Sequence, residues 1–122
     1  MTTTLSCKKN VDNSLIGDWQ WTKSIGGIAA NTVTPSSTTI VTLKLNNDLT
    51  YTTYINNQKQ EQGQYYLSTN QNYTIITFSK TVVVDKLILQ NDQMISKIEN
   101  GKMTLFDNSI SDGYGHYFDK IK

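Results

Sequence analysis

His116 and Cys7 are the only histidine and the only cysteine of the chain, so side chains able to act as a base or a nucleophile near neutral pH are few. A thiolate–imidazole pair needs both groups held within hydrogen-bond reach, which a polar chain end carrying Cys7 cannot do. No serine lies in a Gly-x-Ser-x-Gly elbow, so a Ser-His-Asp nucleophile has no motif behind it, and His116 is expected to be structural or exposed. A zinc site of several Cys and His ligands is excluded by count. Residues 107–113 contain two aspartates and a glycine, but their spacing matches no EF-hand loop and no glutamate closes it, which leaves a solvated turn. Gly26-Gly27 lacks the Gly-x-Gly-x-x-Gly continuation and the following helix of a dinucleotide site. Glu61 and Glu99, the two glutamates, could work as an acid pair only if the fold brings them together. The expectation is a non-enzymatic protein without cofactor or metal.

Binding by aromatic surface is the chemistry that remains. Trp19 and Trp21, the only tryptophans, stand two apart and so project from one side of a strand, where they bury two large ring systems. Net charge is +1, and the eleven basic residues, all lysines, are scattered among eight aspartates and two glutamates. No basic stripe exists to neutralise phosphates, so a nucleic-acid partner is not expected. A chain of 122 residues is one domain by length. With a single cysteine it must be held by apolar packing rather than by an internal disulfide.

The elements that would position the aromatic residues are strands. Threonine, asparagine, tyrosine, valine and isoleucine dominate, a composition that fits pleated, half-buried strands joined by polar turns. From residue 36 onward, short strand-like runs alternate with turn residues about every ten positions, the rhythm of a meander. Asn46-Asn47-Asp48, Asn56-Asn57, residues 69–71, Ser79-Lys80, Asn91-Asp92 and Asn100-Gly101 mark the turns, the last being the strongest hairpin signal. Connections this short require antiparallel neighbours. The sequence therefore predicts an all-β, antiparallel, up-and-down barrel of about 8 to 10 strands. A short helical turn, capped by Asp12 or Asn13, should precede the first strand and plug one end. Residues 1–12 read as a tail and 13–122 as the barrel. Alternation turns Val41, Leu43 and Leu45 inward, and likewise Tyr65 and Leu67, whereas Thr74, Ile76 and Phe78 oppose Tyr73, Ile75 and Thr77 only weakly, so both faces of that run read as partly apolar. Runs 82–89 and 114–121 cannot be phased. Residues 26–37 and 108–113 are longer than hairpins need and are the candidate functional loops.

Gly17-Asp18-Trp19, entered through Leu15-Ile16, resembles the Gly-x-Trp signature of lipocalins, in which the tryptophan closes one end of an eight-stranded barrel. Continuation through Ser24-Ile25-Gly26-Gly27-Ile28 to Thr34-Pro35 is similar to the lipocalin-like domains of small Bacteroidetes-type envelope lipoproteins. The resemblance makes Gly17 and Trp19 signature residues. In lipocalins the final strand commonly brings an arginine over that tryptophan, a part that only Lys120 or Lys122 can take in this chain; lysine keeps the cation–π contact but lacks the planar guanidinium. It also implies an apolar or amphipathic small molecule as partner, held by Trp21 together with Tyr51, Tyr65 and Phe78, the aromatic residues phased inward with it.

Leu5-Ser6-Cys7-Lys8-Lys9 resembles the end of a lipoprotein signal, with Cys7 the acylated residue. Residues 1–6 lack the charged segment and the apolar run of about 7 to 15 residues that make a complete signal peptide, so the native signal is read as trimmed, and no run is long enough for a transmembrane helix. The implied location is the cell envelope, periplasmic or outer-membrane, with membrane contact only through a lipid on Cys7, and the implied state is a monomer. Three rivals stand beside this reading. They are an interaction module with a side-chain-filled barrel and an outer tyrosine surface from among Tyr54, Tyr66 and Tyr73, an open β-sandwich, and a small barrel enzyme. If Cys7 is the anchor, full-length protein in its native host partitions with membranes and Cys7→Ser releases it to the soluble fraction; equal partitioning of the two proteins would refute the anchor.

Overall fold

Left-handed backbone at asparagine marks the places where the chain reverses. Asn56 and Asn57 have φ of 50° and 68°, and Asn100 and Gly101 have φ of 54° and 74°, the positive values that both central positions of a type I′ hairpin turn require. The computed structural model describes residues 14–27, 30–70, 72–108 and 113–121. Between the turns run the strands β1 (Gly17–Gly26), β2 (Asn31–Val33), β3 (Val41–Leu45), β4 (Thr50–Ile55), β5 (Gln58–Asn70) and β6 (Tyr73–Phe78). They are followed by β7 (Val82–Val84), β8 (Leu87–Leu89), β9 (Asp92–Glu99), β10 (Lys102–Asp107) and β11 (Tyr114–Lys120).

The main sheet runs β11-β10-β9-β6-β5-β4-β3-β1-β2, and β11 also pairs with β1. Eight strands therefore close an antiparallel up-and-down barrel, as the sequence predicts. Each barrel strand follows its chain neighbour around the wall, except where β2 and the β7–β8 hairpin are inserted between consecutive staves. Closure runs along most of β1, from Trp19 opposite Lys120 to Gly26 opposite Tyr114. An open sandwich, which leaves both terminal strands as edges, is excluded by this ladder.

Two inserted elements depart from the sequence reading. Residues 26–37, expected as one loop, contain β2, which folds back on β1 with Val33 opposite Ser24. The run 82–89 is a hairpin: Val82, Val84, Leu87 and Leu89 are buried while Val83 and Ile88 point outward. Period-two alternation continues on both sides of the Asp85-Lys86 turn, and only a sharp reversal, with Asp85 at φ 55°, lets both halves bury the same face. At 69–71, expected as a turn, β5 instead runs on to Asn70.

The core extends from one end of the barrel to the other. Val41, Leu43 and Leu45 face inward as predicted, together with Ile76, Phe78, Met103, Leu105 and Phe118. Ser14 and Leu15 form the described part of the helical turn, and Leu15 is fully buried against the core. The Trp19 indole N–H donates to the Leu15 carbonyl at 2.8 Å, while the Lys120 ammonium lies 5.4 Å from the centre of the Trp19 rings and donates to the Ser14 carbonyl at 3.3 Å. One residue thus satisfies the tryptophan's donor and another covers its face. Gly17 opens the strand at φ 143°, a backbone conformation that residues with a Cβ rarely adopt. Asp12, Asn13, Cys7, Lys122 and the boundary of the tail lie outside the described residues. Because Trp19 is fully buried, Trp19→Ala should cost about 3–5 kcal/mol of unfolding free energy, read from urea denaturation; a cost below about 1 kcal/mol would contradict its role as the plug.

Candidate functional site

Strict alternation along β1 would turn Lys23 into the core after Trp19 and Trp21. A β-bulge at Thr22 prevents it: Trp21 opposes Phe118, but the next pair is Lys23 with Tyr117. The extra residue reverses the phase of the strand. Lys23 emerges outside, with its ammonium 5.3 Å from the Tyr117 ring centre, and Ser24 enters the barrel at 4% exposure. Thr22 holds the bulge by donating to the Tyr117 carbonyl at 3.1 Å.

Ser24 meets His116 across the closing ladder, 92 residues away in sequence, with Oγ 2.6 Å from Nδ1. On the other side of the ring, His116 Nε2 lies 2.9 Å from Asp107 Oδ1 on β10. Asp107 also accepts the Gln93 amide at 2.6 Å and the Tyr114 backbone N–H at 2.9 Å. The Trp21 indole N–H donates to Ser24 Oγ at 3.0 Å. A carboxylate can only accept, so Nε2 carries hydrogen; the Ser24 oxygen receives the indole N–H and shares the remaining hydrogen bond with Nδ1. His116 is 2% exposed, so of the two expectations for it the exposed one is overturned. Residue 107, expected in a solvated turn, is likewise enclosed, its side chain 5% exposed. Burial pushes the Asp107 carboxyl up, but the hydrogen bonds from His116, Gln93 and Tyr114, with the nearby imidazole, outweigh it and hold the carboxyl below its ordinary value.

This chain contains the residue types of an acyl-transfer triad, in an order set by the ring: serine on Nδ1, carboxylate on Nε2. For nucleophilic attack, Ser24 would also need access and free donors for an oxyanion. Ser24 is enclosed, and the indole N–H beside it is already committed to the serine oxygen. What the arrangement does is fix a polar strip inside an otherwise apolar barrel, with one acceptor, Gln93 Oε1, buried and unpartnered at its end.

Opposite β1 lies the aromatic wall. Trp21, Tyr51, Tyr65 and Phe78 are all buried, at 0–1% exposure. Three of them adjoin: Tyr65 pairs with Phe78 across the β5–β6 ladder, and the Tyr51 and Phe78 rings meet edge to face at 5.3 Å. Trp21 stands apart on β1, four strands around the barrel from β6 in either direction. Tyr65 spends its hydroxyl on the Asn46 carbonyl at 2.6 Å, so it supports the β3–β4 turn, whereas the Tyr51 hydroxyl has no partner. Phasing could find the four rings because they alternate with polar residues; Ser24, His116, Asp107 and Gln93 carry no such signal. Of the two glutamates, Glu61 stands on β5 and bonds Lys80 at 3.2 Å, while Glu99 ends β9.

Over this interior sits the β7–β8 hairpin, whose four inward aliphatic residues belong to the same buried cluster as the rings. Among the described residues its strands pair only with each other. The Asp85 carboxylate at its tip accepts the Ser36 N–H at 2.9 Å and the Ser36 hydroxyl at 2.8 Å, which clasps the hairpin to the segment between β2 and β3. At its base the Asn91 amide donates to the Phe78 carbonyl at 3.1 Å. Fold and site together define a closed eight-stranded β-barrel with an internal aromatic wall, a buried polar strip and a hairpin cap. The chain was compared with protein-family models, curated proteins and solved structures, and none of them matches it.

A carboxyl depressed in the folded state contributes stability above its unfolded value, near pH 4, and loses it as pH falls through the depressed folded value. In Asp107→Asn an amide N–H faces donors that the carboxylate accepts, so we expect a loss of about 1–3 kcal/mol at pH 7 and a shallower decline of stability in acid. Urea unfolding of both proteins from pH 3 to pH 7 measures this; parallel curves would show that the strip carries no charge linkage.

Proposed function

We propose that the protein is a non-enzymatic, lipocalin-like binding domain that takes a small apolar or amphipathic molecule into its barrel, with the β7–β8 hairpin as the gate. The carrying observation is that the inward side chains over the barrel belong to a hairpin without a ladder to any barrel strand. A two-stranded hairpin is marginal alone, so it is held by burial of Val82, Val84, Leu87 and Leu89, about 1.5–3 kcal/mol each, and by the Asp85 clasp. Lifting it breaks no barrel hydrogen bond. An apolar ligand replaces the contacts that are lost within the buried cluster that also holds Trp21, Tyr51 and Phe78. In the full protein this domain sits on a cell-envelope lipoprotein anchored at Cys7, the reading that the Leu5-Ser6-Cys7 resemblance supports.

A second reading is an interaction module whose barrel is filled by its own side chains. It is favoured by Val83 and Ile88, an outward cross-strand pair on the hairpin, 56% and 50% exposed. Titration with diphenylhexatriene, an apolar probe without a head group, separates the two readings. Under the binding reading the probe binds saturably and quenches tryptophan emission, Trp21→Phe removes most of the response while Trp19 still emits, and Asp85→Ala speeds association several-fold by opening the clasp. Hairpin amides that exchange only through global unfolding, with no probe binding, would leave the interaction module. Ser24 is expected to resist a fluorophosphonate; labelling there would make the barrel an enzyme.

A further inference from the structure

Three buried polar atoms on one stretch of the wall have no hydrogen-bond partner among the described residues: the Tyr51 hydroxyl, Thr53 Oγ1 and Glu61 Oε1. They are neighbours by register. Tyr51 and Thr53 share the inward face of β4, and Thr53 pairs with Glu61 on β5. Gly63, which pairs with Tyr51, makes room for the ring, because a Cβ there would stand 2.7 Å from its Cε2 and 2.9 Å from its hydroxyl. The group lies at the root of the cap: β7 packs against β4, and Lys80, just before β7, binds the other Glu61 oxygen at 3.2 Å.

Buried polar atoms are nearly always paired, and three orphans together call for a guest that supplies their partners. Their chemistry narrows what the guest can be. Glu61 Oε1 only accepts, so the guest must donate to it. The tyrosine and threonine hydroxyls each carry a hydrogen that needs an acceptor, so the guest must accept as well. A hydroxyl group does both with one atom. A carboxylate cannot donate and would bring a second negative charge beside Glu61, whose neutralising lysine is already engaged by Oε2. An ammonium donates but cannot accept. The same carboxylate and the burial of Tyr51 raise that phenol above its ordinary value, with burial the larger cause, so Tyr51 remains a donor.

We infer that the ligand is a neutral long-chain amphiphile carrying a hydroxyl head group, which docks against Tyr51, Thr53 and Glu61 under the hairpin root while its chain lies along the aromatic wall. The inference rests on the binding reading above and adds the head group to it. Its test compares dodecanol, dodecanoate and dodecylamine below their micellar concentrations at pH 8, with diphenylhexatriene displacement as the readout, on native protein, Glu61→Gln and Thr53→Val. Dodecanol should displace the probe at least about ten-fold more tightly than dodecanoate, and Glu61→Gln should narrow that gap by admitting the carboxylate. Thr53→Val should weaken dodecanol without affecting the headless probe. If probe and all three amphiphiles bind with equal affinities that neither variant changes, the head-group site is refuted and the orphan atoms hold only water. If the probe itself does not bind, the binding reading falls and this inference with it.

Discussion

The ladder between the first and last strands of the sheet is the constraint on which the rest of the molecule depends. An antiparallel meander with free edges would present two rows of unpaired backbone groups, and closing β11 onto β1 removes both at once. The same register then decides what meets inside and at the end of the barrel. It sets Lys120 opposite Trp19, Phe118 opposite Trp21 and His116 opposite Ser24. A shift by one residue would turn the inward members of β11 to the solvent side and break the Ser24–His116 contact together with the cover over Trp19. Plug, core and polar strip are thus consequences of one alignment.

A hydrogen-bonded Ser–His–Asp chain inside a small barrel is costly unless every member is satisfied. Asp107 meets that condition by accepting three donors from two other strands: Gln93 of β9, and His116 and Tyr114 of β11. The bulge at Thr22 is the structural device that admits Ser24 to this chain, at the expense of one irregular step in the longest ladder. Such a network rigidifies one side of the barrel. Among the described residues the opposite side keeps three oxygens without partners, against one, Gln93 Oε1, at the end of the strip, so the two walls differ in how completely their polar groups are used.

The cap links this asymmetry to function. Barrel strands are tied by continuous ladders, whereas the β7–β8 hairpin is tied by side-chain burial and by two hydrogen bonds from Ser36 to one carboxylate. Local openings draw on the elements with the fewest backbone ties, and this hairpin has none to the barrel sheet. In the proposed binding role, a guest would enter without disturbing barrel closure.

Alternation and turn chemistry, both local properties, determined the class, the meander order and the inward face of β3. Asn100-Gly101 and Asn56-Asn57 could be placed because positive φ at two successive residues is a demand that few residue types meet. Trp19 and Trp21 could be placed inward because two bulky rings at spacing two leave a strand little choice. The sequence carried half of the aromatic wall's meaning: it turned Tyr51, Tyr65 and Phe78 inward but could not say which hydroxyl is spent on a turn and which is left free. Only the tertiary structure decided the polar strip, since Ser24 faces inward through a bulge that no local pattern announces, and His116 and Asp107 reach it only across closed ladders. It alone decided that residues 82–89 fold into a cap, because a run with apolar residues on both faces carries no phase. Local physics sets what each segment can be; which buried atoms find partners is settled by register between segments far apart in the chain.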